Sequence, residues 1–257
     1  PEAANVLAKN GWDGAIEKAE GDYLMVVDAN LGFNKVDANI KRRVDYSVQL
    51  DQRPAQAELR LVYDNTSPSS DKICRHDDLY GQTRYQAKGY EDLMTGCYWD
   101  YVRVYVPGGS TLIKALGTDE PVRVSQEQGK TVFATFILVP PGQARELRFV
   151  YTLPSWGELA DYRVMVQKQP GLDQLPVSLD AKLPSGAHGP QASAGDLAEG
   201  RWQARSALTG DQIFQVTWQE EPSTALYIVG LTMGGLAMLA AGFWTRRRRD
   251  HSESVRD

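Results

Sequence analysis

Arg43-Val-Asp-Tyr-Ser-Val-Gln-Leu50 and Glu58-Leu-Arg-Leu-Val-Tyr63 decide the fold. Both alternate polar and apolar residues. A period of two puts successive side chains on opposite faces of an extended chain, one face wet and one toward a core. Upstream, Asp22-Tyr-Leu-Met-Val-Val-Asp28 is an apolar run bounded by polar turns, the form of a buried strand. Downstream, further strands are expected over Trp99–Val106, Thr111–Leu116, Lys130–Val139, Arg145–Leu153, Asp161–Gln167 and Val177–Leu183, punctuated by turn chemistry at Pro107-Gly-Gly109 and Pro140-Pro-Gly142. The segment from Val132 to Leu153 reads as a hairpin, with Val132, Ala134, Phe136 and Leu138 facing Leu147, Phe149, Tyr151 and Leu153. A last hairpin is expected from Arg201–Leu208 and Gln212–Trp218 around Thr209-Gly-Asp211. Many short strands at this spacing predict a mainly β fold, an antiparallel Ig-like β-sandwich.

Two segments lie outside that pattern. Residues 1–20 carry helix formers from Glu2 to Lys9 and a stop at Gly11, a short N-terminal helix. Ala225 to Trp244 is a run of 20 uncharged residues followed at once by Arg246–Arg249. A helix of that length spans roughly 30 Å, a bilayer's hydrocarbon core, and the arginines mark a cytoplasmic flank. The expected organisation is therefore 1–37 as the remnant of an upstream domain and 38–183 as the sandwich with a disulfide-closed insertion at 66–98. After it come a flexible link at 184–200, a membrane-proximal hairpin at 201–221, a transmembrane helix at 225–244 and a cytoplasmic tail at 245–257. The first residue is Pro1, which predicts processing or a longer parent chain.

Charge narrows the partners. Setting aside the five Arg and three acids after Trp244 leaves 23 basic and 30 acidic residues, a balance of −7. That argues against nucleic acid, which needs a clustered basic surface, and against electrostatic adhesion to anionic lipid. Membrane lipid is expected as a partner through the apolar run alone. Gly230-Leu-Thr-Met-Gly234, extended by Ala237 and Ala241, is a small-residue face suited to a close contact with another helix, either a protein partner or a second copy.

Several blocks carry a family resemblance: Gly21 to Asp37, Arg42-Arg-Val-Asp-Tyr46, Tyr63-Asp-Asn-Thr66, Cys97 to Pro107, and Lys130-Thr-Val-Phe133 through Tyr151-Thr-Leu-Pro154. Across roughly residues 5 to 220 the chain resembles the C-terminal half of the bacterial "domain of unknown function 4012" proteins. The resemblance implies an envelope location and a larger N-terminal half upstream. It assigns no catalytic residue.

The candidate sites follow from residue chemistry. Cys74 and Cys97 suit a disulfide in an oxidising compartment. The zinc alternative, with His76 and Asp77 or Asp78, has an uncommon spacing. Asp28, Asn30, Asn34 and Asp37 offer oxygens at the close spacing hard cations want. However, Gly32 stands where an EF-hand loop wants a ligand, so turn structure rather than calcium is the reading taken. The Tyr-rich stretch with Tyr80, Tyr85, Tyr90, Tyr98 and Trp99 is expected to form a contact surface for a protein partner or glycan. No Gly-x-Ser-x-Gly elbow or Gly-rich phosphate loop is present, and only His76 of the three histidines stands beside acids. No cofactor is expected. The sequence thus predicts a membrane-anchored extracytoplasmic structural or binding module of the cell envelope, without catalysis in this segment. The alternative is an accessory part of an envelope glycopolymer-processing enzyme whose catalytic half lies upstream of Pro1.

Overall fold

The computed structural model describes residues 2–9, 13–69, 74–75, 89–154 and 160–220. The elements are α1 (Glu2–Lys9), β1 (Asp22–Val27), a 3-10 turn (Val36–Asn39), β2 (Ile40–Gln49), β3 (Gln56–Asn65), α2 (Tyr90–Met94), β4 (Tyr98–Pro107), β5 (Thr111–Leu116), β6 (Arg123–Glu127) and β7 (Lys130–Val139), followed by β8 (Ala144–Thr152), β9 (Asp161–Gln167), β10 (Leu175–Lys182), β11 (Ala187–Ala192), β12 (Asp196–Ala198), β13 (Arg201–Leu208) and β14 (Gln212–Glu220). They form two seven-stranded sheets. The first runs β11-β14-β9-β1-β4-β7-β6 and the second β12-β13-β10-β2-β3-β8-β5.

The alternating stretches behave as the pattern requires. β2 and β3 pair antiparallel from Ile40–Asn65 to Gln49–Gln56, and Val44, Tyr46, Val48, Leu59, Leu61 and Tyr63 all enter the core between the sheets. Polar residues on their other face form a charged lattice, in which Arg60 bridges Asp45 at 2.9 Å and Glu146 at 2.6 Å.

The first sheet is different, because its central strands β1, β4 and β7 are buried on both faces. On β1, Leu24 and Val26 point into the main core, while Tyr23 and Met25 pack outward with Tyr105 and Val132 beneath Ile16 and Ala19. Gln167 fastens that cover. It accepts from the Tyr23 hydroxyl at 2.5 Å and from the Glu17 amide at 3.0 Å, and it donates to the Ala15 carbonyl at 2.7 Å. A strand covered on both sides needs a continuous apolar run, which explains the sequence of β1.

Four expectations are corrected. The sheets are mixed, not purely antiparallel, since β1 runs parallel to β9 and β2 parallel to β10. Local pattern specifies hairpin neighbours, whereas these parallel contacts join strands more than a hundred residues apart, for which no local signal exists.

The expected hairpin from Val132 to Leu153 does not form either. β7 pairs with β4 and β6, and β8 with β3 and β5, so the turn at Pro140-Pro-Gly142 carries the chain from one sheet to the other. The inward residues of β7 are Phe133, Ile137 and Val139, while Val132 and Phe136 face out under other cover. Phe133 meets Phe149 across the sandwich in a stacked pair at 6.2 Å and Tyr151 edge-on at 5.4 Å. The expected last hairpin also crosses between sheets, with β13 on β10 and β14 on β9.

Finally, the domain boundaries shift. β1 lies in the middle of a sheet, so the sandwich begins within the segment expected to be an upstream remnant. Residues 184–200, expected as a link, carry β11 and β12, each at the end of a sheet. Their Gly, Ser and Pro content suits short edge strands as well as linkers. Among the described residues no helix is long and apolar enough to cross a membrane, and 225–244, with Gly230, Gly234, Ala237 and Ala241, lies outside them.

Candidate functional site

The run Asp22 to Asp28 begins and ends on an acid. The spacing of six keeps both side chains on the same side as Leu24 and Val26, toward the inter-sheet core. Polar clusters therefore form at both ends of β1.

At the Asp28 end, Arg42 of β2 donates from Nε to Asp28 Oδ2 at 2.6 Å and from its terminal nitrogen to the Tyr98 hydroxyl at 2.8 Å. The Tyr63 hydroxyl donates to Asp28 Oδ1 at 2.7 Å. The guanidinium also lies over the Tyr98 ring at 5.5 Å. Burial works against the Arg42 charge, but Asp28 more than offsets it and holds the guanidinium charged more firmly than usual. Beside these groups lies Asp100 of β4, wholly buried, with no donor on either carboxyl oxygen. Burial, and then the neighbouring Asp28, push its pKa well above the usual carboxylate range, with Arg42 opposing.

The loop from Asp28 to Asp37 gathers the four residues weighed for calcium, and three of them, Asn30, Asn34 and Asp37, bond one another while Asp28 takes Arg42 and Tyr63. Asn30 Nδ2 donates to Asn34 Oδ1 at 2.8 Å and to Asp37 Oδ2 at 2.6 Å, and its Oδ1 accepts from the Gly32 amide at 2.9 Å. Asn34 Nδ2 reaches the Cys97 carbonyl at 2.9 Å. A guanidinium stands between Asp28 and Asp37, in the position a cation would take. Among the described residues no group of acids, cysteines or histidines has a metal-binding arrangement. Gly32 is required here, because a Cβ would lie 2.6 Å from the Trp99 ring. Phe33, which follows, adopts φ 52°, a left-handed conformation that costs a bulky residue about 1–3 kcal/mol, and is 56% exposed.

Cys74 and Cys97 form a disulfide with Cα atoms 5.8 Å apart. It packs with Trp99, Phe136, Leu31 and Leu138 on the outer face of the first sheet, and Trp99 Nε1 donates to the Arg75 carbonyl at 3.2 Å. Two members of the expected aromatic surface are corrected by this arrangement. Trp99 is buried beneath the disulfide, and Tyr98 points the other way into the inter-sheet core. A strand that is covered on both faces leaves neither for a partner. Tyr90 does stand out, 67% exposed at the start of α2. The Lys35 amide donates to the Leu93 carbonyl at 2.8 Å, joining α2 to the Phe33 loop. Tyr80, Tyr85, His76, Asp77 and Asp78 lie outside the described residues.

A cleft of about 610 Å³ opens over the same end, lined by Asp28, Asp37, Lys41, Arg42, Gln169 and Asp173 among others. Gln169 closes one wall by exchanging hydrogen bonds with the Asp28 backbone, at 2.9 and 3.0 Å.

At the other end of β1, Asp22 accepts from the Tyr46 hydroxyl at 2.6 Å, the Tyr162 hydroxyl at 2.5 Å and the Tyr23 amide at 2.7 Å. Tyr151 lies 3.2 Å from the Tyr46 hydroxyl. Tyr46 and Tyr151 come from one sheet and Tyr162 from the other, so the carboxyl ties the two sheets together. Burial raises its pKa to about 6 against the lowering effect of the hydrogen bonds. Sequence reading missed Asp22 and Asp100. The available signal was parity, since each shares the inward register of apolar neighbours: Leu24 and Val26 for the first, Val102 and Val104 for the second.

No family profile matches the sequence, and no curated protein is similar to it. Among solved structures, a candidate nutrient binding protein from Legionella pneumophila aligns with 77% of this chain and 72% of its own, at 9% identity and TM-score 0.40. An M1 zinc metallopeptidase from Deinococcus radiodurans aligns over 74% of this chain and 46% of its own, at 12% identity and TM-score 0.35. Legionella pneumophila aminopeptidase A aligns over 75% and 23%, at 8% identity and TM-score 0.33. The chain thus spans less than half of the two peptidases. At this level of similarity none of the three bears on activity.

Proposed function

We propose that the chain is a membrane-anchored, extracytoplasmic binding module of the bacterial cell envelope, with no catalysis within it. The observation that carries this reading is the aromatic end formed by Phe33 and Tyr90. Phe33 is held in a strained left-handed turn that glycine would adopt at lower cost, and both rings stand out to solvent on elements tied by a backbone hydrogen bond. Exposed aromatic faces on loops carried by a rigid scaffold are suited to gripping a partner. The two-sheet body supplies an Ig-like scaffold of that kind, and the Cys74–Cys97 bond fits an oxidising compartment. The apolar run 225–244 followed by Arg246–Arg249 supplies the anchor and its orientation. The acidic body favours an uncharged or polyhydroxyl partner such as wall glycan over anionic polymer.

The test is co-sedimentation of the full chain with isolated wall glycan, comparing wild type with the double variant Phe33→Ala, Tyr90→Ala. Two aromatic anchors of ordinary hot-spot strength predict a loss of affinity of tenfold or more, about 1.4 kcal/mol or above. Equal sedimentation of a folded double variant, or no binding by wild type, would overturn the assignment of this end as the binding surface.

A further inference from the structure

Two seven-stranded sheets leave four edge strands, and an exposed edge is a template for another strand. Three of the four are blunted. β11 contains Pro190, which has no amide to donate, and β12 is only three residues long. β5 carries a register shift between Leu112 and Lys114 that bulges Ile113 out of the ladder, and Lys114 adds an exposed charge. β6 has none of these devices. It keeps regular register with β7 from Arg123–Ala134 to Glu127–Lys130, and among the described residues no strand pairs with its other side. Its apolar residue, Val124, is 53% exposed.

The hairpin fixes which groups this edge offers. Gln128 and Gly129 both take positive φ, 51° and 74°, the two-residue turn that closes on a hydrogen-bonded pair, here Glu127 and Lys130. Bonded pairs alternate along an antiparallel ladder, so Ser125 and Arg123 also spend their backbone groups on β7. The N–H and C=O of Val124 and Gln126 therefore point to the open side. Those two residues meet when a second β6 lies antiparallel with its Ser125 opposite Ser125. The same register sets Arg123 against Glu127 of the second copy, at both ends of the strand. By parity these two charges share the outer face, where Arg103 and the Tyr105 hydroxyl hold the Glu127 carboxylate in place. Backbone pairing and charge thus select one register, and the strand is complementary to itself. We propose that β6 is a self-association edge, at which two copies of this chain pair antiparallel about a two-fold axis at Ser125 and continue the first sheet from one protomer into the next.

Disulfide trapping on the full chain in mild detergent tests this. The chain has two cysteines and both are in the Cys74–Cys97 bond, so an introduced thiol stands alone. In the proposed register Ser125 faces its own copy across a non-bonded pair with Cα atoms about 4.5 Å apart, within disulfide reach. Ser125→Cys should therefore cross-link under mild oxidation about tenfold or more faster than Val124→Cys or Gln126→Cys alone, whereas a mixture of those two should cross-link to each other. Val124→Pro removes an amide that only a partner strand uses, so adding it to Ser125→Cys should abolish the product while leaving the melt unchanged. Equal rates at 124, 125 and 126, or a Ser125→Cys product that survives Val124→Pro in a folded protein, would overturn the edge pairing. Should Val124→Pro not fold, the three cross-linking rates and the mixture decide alone. Sedimentation of the unmodified chain gives a second reading: self-association that rises with concentration is expected, and a monomer at every concentration would contradict the proposal.

Discussion

Replacing Arg42 by Met tests the polar end of the sandwich most severely. The Arg42 side chain is 11% exposed and that of Asp28 only 5%, so solvent screens the pair little. Met fills much of the same volume but leaves Asp28 with one donor, Tyr63, and next to Asp100. Removing one partner of a buried pair costs about 3–5 kcal/mol, because the remaining charge stays desolvated. For a body of this size that corresponds to a fall in Tm of roughly 6–20 °C. Asp28→Asn alone should cost less, since the amide keeps a hydrogen-bonding group for Tyr63. The double variant Arg42→Met, Asp28→Asn should recover at least about 1 kcal/mol relative to the sum of the single effects, a coupling within the usual range for contacting residues. Urea unfolding measures all three, with an unchanged m-value as the condition for comparing midpoints. A loss below about 1 kcal/mol for Arg42→Met, or strict additivity in the cycle, would refute the view that this ion pair is an internal tie of the fold.

Two further predictions concern the core. Asp22 has a folded-state pKa of about 6 against an ordinary 3.8, so the folded protein holds this proton longer than the unfolded chain does. Its contribution is complete below about pH 4 and is lost as pH rises through about 6, a change of about 3 kcal/mol that Asp22→Asn should flatten in a series of thermal melts. A wild-type profile no steeper than that of Asp22→Asn would contradict the assignment. Phe149→Ala removes the ring stacked on Phe133 between the sheets and should cost about 3–5 kcal/mol in urea unfolding; a cost under about 1 kcal/mol would mean the sheets do not meet through this pair.

Parts of this fold were legible in the sequence for a definite reason. β2 and β3 have one wet face, so alternation revealed both their existence and their inward residues. β7 has none, since both its faces are covered, and Lys130-Thr-Val-Phe-Ala-Thr-Phe-Ile-Leu-Val139 offers no parity to read. Hence the sequence offers Phe136 as a core residue facing β8, whereas Phe133 and Ile137 hold that role. Turns such as Pro140-Pro-Gly142 mark a reversal but not whether the chain returns to the same sheet. The Cys74–Cys97 pairing was readable because only two cysteines exist. The Asp28 loop was found for its oxygens. Its arginine counter-ion is not legible there, because Arg42 comes from the next strand and no local spacing ties it to Asp28. Asp22 and Asp100 were passed over because a buried acid in a strand resembles a boundary residue until its register is known.

The claim that binds the sandwich, the disulfide and the apolar run together is that the body lies outside the membrane. Protease added to intact spheroplasts, with an epitope on the tail after Trp244, tests it directly. The expected result is that the body is digested from outside and only a short fragment holding 225–257 survives with its epitope. Full protection of the body until the membrane is permeabilised would contradict it.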